Sequence, residues 1–187
     1  DVKLLQSASL TNEITYTLSG MSSDGSLYMD GELKATFVLD NLNLTNADDY
    51  AINIENGKRI DVILKEGSVN YLADGATSTS GLSKRAMMVN GHTEFDGDGK
   101  LTISGKYAHA FWGDEYVKVK KGLCEIVVDK AVKDGFNVNQ YFLQNGGSVT
   151  ISGVGDDGIQ VSKDDKDEEY NGMVLLNGGK HSITCAG

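Results

Sequence analysis

The chain lacks proline and long apolar runs, and it contains few cysteines and few basic residues. Its 187 residues include 23 glycines, two cysteines and no proline. No stretch of about 18 apolar residues occurs, which excludes a membrane-spanning helix, and the opening DVKLLQSASL does not form a signal peptide. A net charge of −10 excludes a general nucleic-acid binder, because a phosphate backbone needs a basic footprint.

Helical periodicity is also absent, and short alternating segments repeat along the chain in its place. Residues 134–152 and 157–184 share an Asp-Gly pair, two apolar strands, Asn-Gly-Gly and a third strand. The two Asp-Gly pairs are 23 residues apart, and weaker copies precede them. A period of this length with three short strands predicts an all-β fold, a β-solenoid of stacked turns. A β-sandwich, the alternative, would also have short strands but would not repeat the same turn residues in three-strand units.

The length predicts one β-helix domain over residues 1–187. We expect cap strands in residues 1–36, stacked turns in 37–187, and polar insertions near 76–84 and 163–171. Proline would remove a ladder hydrogen bond on each turn, which accounts for its absence.

Equivalent residues of stacked turns lie about 4.8 Å apart, so inward side chains form columns. We predict two columns: Ile52, Val117, Phe136 and Ile159, and Leu101, Cys124 and Val149. Cys124 and Cys185 then lie two turns apart, roughly 9–10 Å, which is beyond the reach of a disulfide. We therefore predict two buried, unpaired cysteines.

One segment and the repeats that follow it carry a family resemblance. Residues 33–75 read LKATFVLDNLNLTNADDYAINIENGKRIDVILKEGSVNYLADG, and later come GDEYVKVKKG, VKDGFNVNQYFLQNGGSVTIS and GDDGIQV. This order resembles a family of bacterial secreted carbohydrate-binding β-helix proteins. The resemblance implies a single-stranded right-handed parallel β-helix of the pectate-lyase-like type, calcium along one edge, and export to the periplasm, cell surface or medium. It also implies binding of plant-type polysaccharides, including uronate-containing ones, without known catalysis.

Aspartates recur at the start of apparent first strands. Asp114, Asp134 and Asp157 would align on one edge if the turns stack, with Asp156 beside them. Calcium, which takes six to eight oxygen ligands, would relieve their repulsion. The alternative is that Asp-Gly simply forms turns. The acidic run 164–169 is interpreted as a solvated loop.

The middle of the chain is basic and aromatic. Residues 100–133 carry a net charge of +3, against −13 for the rest, and contain the only tryptophan. Aromatic rings stack on sugars and lysines bind carboxylates, so we predict a carbohydrate-binding patch. Its candidate residues are Trp112, Tyr116, Lys118, Lys120 and Tyr141. The alternative is that the aromatic residues belong to the core and the lysines to an ordinary exposed face.

Catalytic motifs are incomplete. Gly155-Asp156-Asp157 resembles a polygalacturonase motif, but neither Gly-His-Gly nor Arg-x-Lys follows it. A calcium-assisted lyase needs a basic side chain, for which Lys133 is the one candidate. The three histidines lack zinc or triad spacing. The leading hypothesis is non-catalytic polysaccharide binding; the alternatives are a lyase and an adhesin or structural module that binds a protein partner.

The last turn of a solenoid exposes an edge that needs a cap. The sequence around Lys180 and His181 supplies none, so homodimerisation through a solenoid end is a further expectation.

Overall fold

The structure, a computed structural model, describes residues 1–77, 85–165 and 169–186. In this part of the chain 19 strands are joined by turns and bends. None of its segments is a helix long and apolar enough to cross a membrane. The all-β prediction is confirmed for these residues.

The strands form three parallel ladders, because each strand from β5 to β16 pairs with the third strand after it. The first ladder contains β1 (Val2–Leu5), β3 (Leu27–Asp30), β5 (Ile52–Glu55), β8 (Arg85–Asn90), β11 (His109–Gly113), β14 (Phe136–Asn139) and β17 (Ile159–Ser162). The second contains β6 (Ile60–Leu64), β9 (Thr93–Gly97), β12 (Val117–Val119), β15 (Tyr141–Gln144) and β18 (Met173–Leu176). The third contains β7 (Val69–Ala73), β10 (Lys100–Gly105), β13 (Glu125–Ala131), β16 (Ser148–Val154) and β19 (Lys180–Cys185).

One N-terminal strand joins the second and third ladders, and another pairs with it. β2 (Ile14–Ser22) pairs in parallel with β4 (Ala35–Thr45). The first part of β4 pairs with β6 and its last part with β7, so the second and third ladders join there. Because β4 runs across residue 36, the chain has no break in its pairing at that point, and the division into cap and stacked turns stays a prediction.

The pairing register sets the length of each coil, meaning one strand from each ladder. Successive first-ladder equivalents from Leu27 onward are 25, 35, 24, 25 and 23 residues apart, at Ile52, Met87, Phe111, Phe136 and Ile159. A coil therefore takes 23–25 residues except where the 35-residue interval includes residues 78–84, which lie outside the described part. The predicted right-handedness stays a prediction.

The interior is a single apolar cluster whose buried residues run from β3 to β16. Four fully buried phenylalanines pack edge-on or tilted against one another through it, with ring centroids 5.9 Å apart for Phe95–Phe111, and 5.3 Å apart for both Phe111–Phe136 and Phe136–Phe142. Each such ring buries a large apolar surface and adds about 0.5–1.5 kcal/mol through its aromatic contacts. This packing fixes the spacing between strands, and therefore between the polar side chains on their outward faces.

The first predicted column is wrong at one position. Val117 does not align with Ile52 and Phe136; it pairs with Thr93 and Phe142 in the second ladder. Phe111 occupies the first-ladder position, because β11 already fills that ladder before the chain turns at residues 114–116. Three short strands with similar alternation cannot be assigned to ladders until the turns between them are known.

The second column and the cysteines also need correction. Ile126, not Cys124, aligns with Leu101 and Val149, because β13 begins one residue after the cysteine. Both thiols are free, as predicted, but only Cys124 is buried. Cys185 is exposed because it lies in β19, which has no further coil stacked on it among the described residues.

Candidate cation and carbohydrate sites

Three of the predicted aspartates meet at one end of the first ladder. Asp134 lies just before β14, and Asp156 and Asp157 lie just before β17 in the next coil. One ligand atom from each of the three lies within 4.8 Å of the others. Asp134 is 4% exposed, whereas its two neighbours are exposed. This cluster, here called the aspartate cluster, gathers hard oxygen donors of the kind that calcium prefers.

Hydrogen bonds orient the buried aspartate of this cluster. The Asp157 amide donates to Asp134 Oδ1 at 3.1 Å, and Asn137 Nδ2 donates to Oδ2 at 2.7 Å. His109 Nδ1 lies 3.0 Å from the same Oδ2. The Asn137 amide also donates to Gln160 Oε1 in the following coil. The carboxylate of Asp134 is therefore fixed beside two exposed acids.

Asp114 does not join the cluster. It follows β11 instead of preceding a first-ladder strand, so it lies at the opposite end of the ladder from Asp134. There Asn139 Nδ2 donates to its Oδ1 at 3.2 Å. Its predicted alignment with Asp134 and Asp157 is wrong, because the strand that follows Asp114 begins at Val117 and belongs to the second ladder.

His109 and Arg85 also belong to this region, although neither is among the residues predicted from the sequence. Asp157 lies 23 residues after Asp134, and His109 lies 25 residues before Asp134. His109 pairs in register with Arg85 of the preceding coil. Burial lowers the pKa of His109, with Arg85 and Lys133 acting in the same direction and the Asp134 carboxylate opposing them. A spacing of about one coil length from Asp134 could have indicated His109. The register of the first ladder is needed to apply that spacing.

Trp112 lies on the outer face of the first ladder, next to the aspartate cluster. It pairs with Asn137, whose amide contacts Asp134. The Arg85 guanidinium carbon lies 4.5 Å from the Trp112 ring centroid, within cation–π range. The indole is half-buried and faces outward, so it is neither a core residue nor a neighbour of the predicted tyrosines.

The remaining predicted sugar-binding residues lie on the second ladder. Tyr116 stacks between His92 and Tyr141, with centroid distances of 4.2 and 4.7 Å. Tyr170 then packs edge-on against Tyr141 at 5.6 Å. Both faces of the Tyr116 ring are covered, so in this arrangement it offers a sugar only its edge. The predicted patch is thus divided between two faces of the molecule.

The two predicted lysines on this ladder already have carboxylate partners. Lys120 Nζ lies 2.6 Å from Asp61 and 3.0 Å from Glu94, and Lys118 Nζ lies 3.6 Å from Glu94. Burial raises the pKa of Glu94, but hydrogen bonds from Lys120 and Tyr116 outweigh it and hold that pKa below its usual value. Glu94 therefore stays ionised, and a uronate would have to compete with Glu94 and Asp61 for the two lysines.

Comparison with known proteins agrees with this architecture. A family of carbohydrate-binding domain-containing proteins matches residues 6–187. The chain belongs to this family. The solved structure of the polysaccharide lyase-like protein from C. thermocellum, a gadolinium derivative, is similar to the chain with a TM-score of 0.80 and 25% identity. The match covers 98% of this chain and 73% of that one. No curated protein sequence matches the chain.

Proposed function

We propose that this member of the carbohydrate-binding domain family binds polysaccharide without cleaving it, on the outer face of the first ladder. The observation that carries the proposal is the continuity of that face. Trp112 is linked to the aspartate cluster through Asn137, and the Arg85 that covers it pairs with His109, which contacts Asp134. An aromatic ring, amides and carboxylates are the groups that bind the apolar faces and hydroxyls of sugars.

Calcium at the aspartate cluster is the second part of the proposal. Three carboxylates in close contact repel one another unless a cation or protons offset their charge. Calcium takes six to eight oxygens, so three aspartates leave positions for amide oxygens, water and sugar hydroxyls. When bound, calcium would supply a positive charge next to Trp112, on a face that otherwise carries the negative charge of the aspartate cluster. Export and the right-handed coil rest on the resemblance described above.

A polysaccharide panel with neutral and uronate-containing members tests the proposal, measured by affinity electrophoresis with calcium or with a chelator. We expect retention in calcium and a loss of about tenfold or more for Trp112→Ala, which corresponds to roughly 1.4 kcal/mol. Tyr71→Ala on the outer face of the third ladder is the matched control, because Tyr71 is also half-buried on a strand. If Trp112→Ala is retained by the polysaccharides as strongly as the wild type, the outer face of the first ladder is not the binding site.

A calcium-assisted lyase is the second candidate, because the structural neighbour is described as polysaccharide lyase-like. Lys133 is exposed and adjoins Asp134, so it remains the candidate base. A lyase would release unsaturated products from polygalacturonate, detected by their ultraviolet absorbance, and would lose this activity in Lys133→Ala. Retention without new absorbance favours the binding protein. Capture of a cell-surface protein with no retention on any glycan favours the adhesin hypothesis.

A further inference from the structure

A second group of aromatic side chains lies on the outer face of the first ladder, three coils before Trp112. Tyr28, Asn53, Met88 and Trp112 pair in register on successive strands of this ladder. The chain neighbours of each one are buried, so these four side chains point outward in a single row. Adjacent strands lie about 4.8 Å apart, which places Tyr28 about 14 Å from Trp112 along the solenoid axis. We call this row the outward strip.

The Tyr28 end of the outward strip has an open cavity of about 380 Å³, which Tyr28, Tyr50 and Lys3 help to line. This volume is in the range of about 300–1,000 Å³ that small-ligand sites occupy. Both rings are half-buried, and a side-chain hydrogen bond joins Tyr50 to Asn53. Lys3 Nζ lies 5.3 Å from the centroid of the Tyr28 ring, within cation–π range. Two tyrosine rings thus line one open site.

A row of carboxylates and side-chain amides runs beside the outward strip. Asp30, Glu55 and Asn90 each lie two residues after a member of the strip and pair in register. Asn90 Nδ2 donates to Glu55 Oε2 at 3.1 Å, and one coil further Asn139 Nδ2 donates to Asp114 Oδ1 at 3.2 Å. Carboxylates accept hydrogen bonds and amides both donate and accept them, as sugar hydroxyls require. The outward strip therefore lies next to groups that bind the polar edge of a sugar.

The charges around the Tyr28 end of the strip are mainly negative. Burial, and after it the charges of Asp30 and Glu55, raise the pKa of Tyr28. Burial also raises the pKa of Tyr50, and the charge of Asp49 adds to that rise. These three carboxylates outnumber the ammonium group over the Tyr28 ring. A uronate would therefore meet repulsion at this end, whereas an uncharged sugar would not.

We infer that the outward strip binds a straight, uncharged glycan chain parallel to the solenoid axis, with one sugar on Trp112 and another on Tyr28 and Tyr50. The inference rests on the proposed carbohydrate binding at Trp112 and adds the direction, length and charge class of the ligand. A straight chain, as in β-1,4-linked glucans, can contact rings about 14 Å apart along one row. A coiled chain, as in α-1,4-linked glucans, curves away from such a row. Stacking on both ends binds the chain more tightly than either end alone.

Titration of the ¹⁵N-labelled protein, in calcium, with the disaccharides and hexasaccharides of cellulose, xylan and mannan tests the inference. We expect at least one hexasaccharide to bind about tenfold more tightly than its disaccharide and to shift the amide signals of Tyr28 and Asn53 together with the Trp112 indole signal. Tyr28→Leu/Tyr50→Leu, which keeps apolar side chains at both positions, should remove this gain and leave the disaccharide affinity unchanged. Maltohexaose, a coiled chain of glucose, and the hexasaccharide of polygalacturonate should show no gain that depends on the tyrosines.

Tyr71→Leu is the matched control, because Tyr71 is half-buried on the third ladder, and it should keep the gain. A gain that survives in the Tyr28/Tyr50 variant would overturn the inference, as would the absence of binding by all three neutral hexasaccharides. Equal affinity for maltohexaose would overturn the straight chain, and equal affinity for the polygalacturonate hexasaccharide would overturn the preference for uncharged sugars. If the proposed function itself fails, Trp112→Ala changes no retention on any polysaccharide. Failure of this inference alone leaves retention that depends on Trp112 but not on Tyr28 or Tyr50.

Discussion

The outer faces of the first and second ladders both carry aromatic rings next to charged groups, but their charges are arranged in opposite ways. On the second ladder, Lys120 bridges Asp61 and Glu94, and Tyr116 donates to Glu94 at 2.9 Å. On the first ladder, three aspartates lie together. The buried one, Asp134, accepts hydrogen bonds from two amides and lies 3.0 Å from His109, whose pKa is lowered by burial.

This contrast separates a face whose charges are paired from a face on which like charges lie together. Paired charges and mutually stacked rings stabilise the coil and leave little to offer a ligand. Clustered like charges cost free energy until a cation binds, and an outward indole next to them stays partly accessible. Composition alone does not make this distinction, because both faces draw on the same residue types.

The largest expected effect is stabilisation by calcium at the aspartate cluster. With free calcium about 100-fold above its Kd, the free energy of unfolding should rise by about 2.7 kcal/mol. Differential scanning calorimetry with calcium and with a chelator measures this rise. Asp156→Asn/Asp157→Asn should abolish it, whereas Asp114→Asn, at the other end of the ladder, should keep it. Equal melting temperatures with and without calcium would remove the contrast between the two faces.

Loss of the central acid on the second ladder should have the next largest effect. Glu94→Gln leaves Lys118 and Lys120 without their shared carboxylate, and we expect a loss of roughly 2 kcal/mol in the free energy of unfolding. Polysaccharide retention should not change. Glu125→Gln is the control, because its pair with Lys100 is 45% and 40% exposed and should contribute less than about 1 kcal/mol. A loss of binding without a loss of stability would assign the ligand to this face.

The pH dependence of two buried acids should differ in sign. Asp74 accepts hydrogen bonds from the amides of Lys106 and Tyr107, and burial raises its pKa to about 6. Because this pKa is higher in the folded than in the unfolded chain, its contribution to stability should improve by about 1 kcal/mol as the pH falls from about 7 to 5. Glu94 has a lowered pKa, so its contribution holds above its usual pKa of 4.5 and is lost as the pH falls below it.

Urea unfolding of wild type, Asp74→Asn and Glu94→Gln across this pH range isolates the two contributions. The stability difference between wild type and Asp74→Asn should change from about pH 7 to 5, and that between wild type and Glu94→Gln should change below 4.5. A pH-independent difference for Asp74→Asn would contradict its raised pKa.

The smallest effect is expected for Lys118→Gln. Its 3.6 Å contact with Glu94 is longer than either contact of Lys120, and the side chain is 28% exposed. We expect a change of about 0.5 kcal/mol or less in stability and none in polysaccharide affinity. A clear loss of affinity for uronate polymers, with the Lys120 pairs intact, would show that the network opens to a ligand.

The repeat could be recognised in the sequence because each stacked coil needs apolar residues at its inward positions and turn residues between its strands. Glycines, the missing proline and the period-two alternation predicted parallel strands in three-strand units. The assignment of strands to ladders could not be predicted from the sequence. Phe111 and Ile126 occupy the core positions that were predicted for Val117 and Cys124. Turns of variable length between strands hide the register, and a shift of one residue moves a side chain from the core to the surface.

By itself, the sequence determined the class of fold, the two unpaired cysteines and the proximity of Asp134, Asp156 and Asp157, since a repeat of 23 residues brings its Asp-Gly pairs together. The tertiary structure alone decided that Asp114 lies apart, that Trp112 and Tyr116 face different directions, and that Lys118 and Lys120 have partners. Asp61 precedes Lys120 by 59 residues, and a contact of that span depends on the summed lengths of all the turns between them.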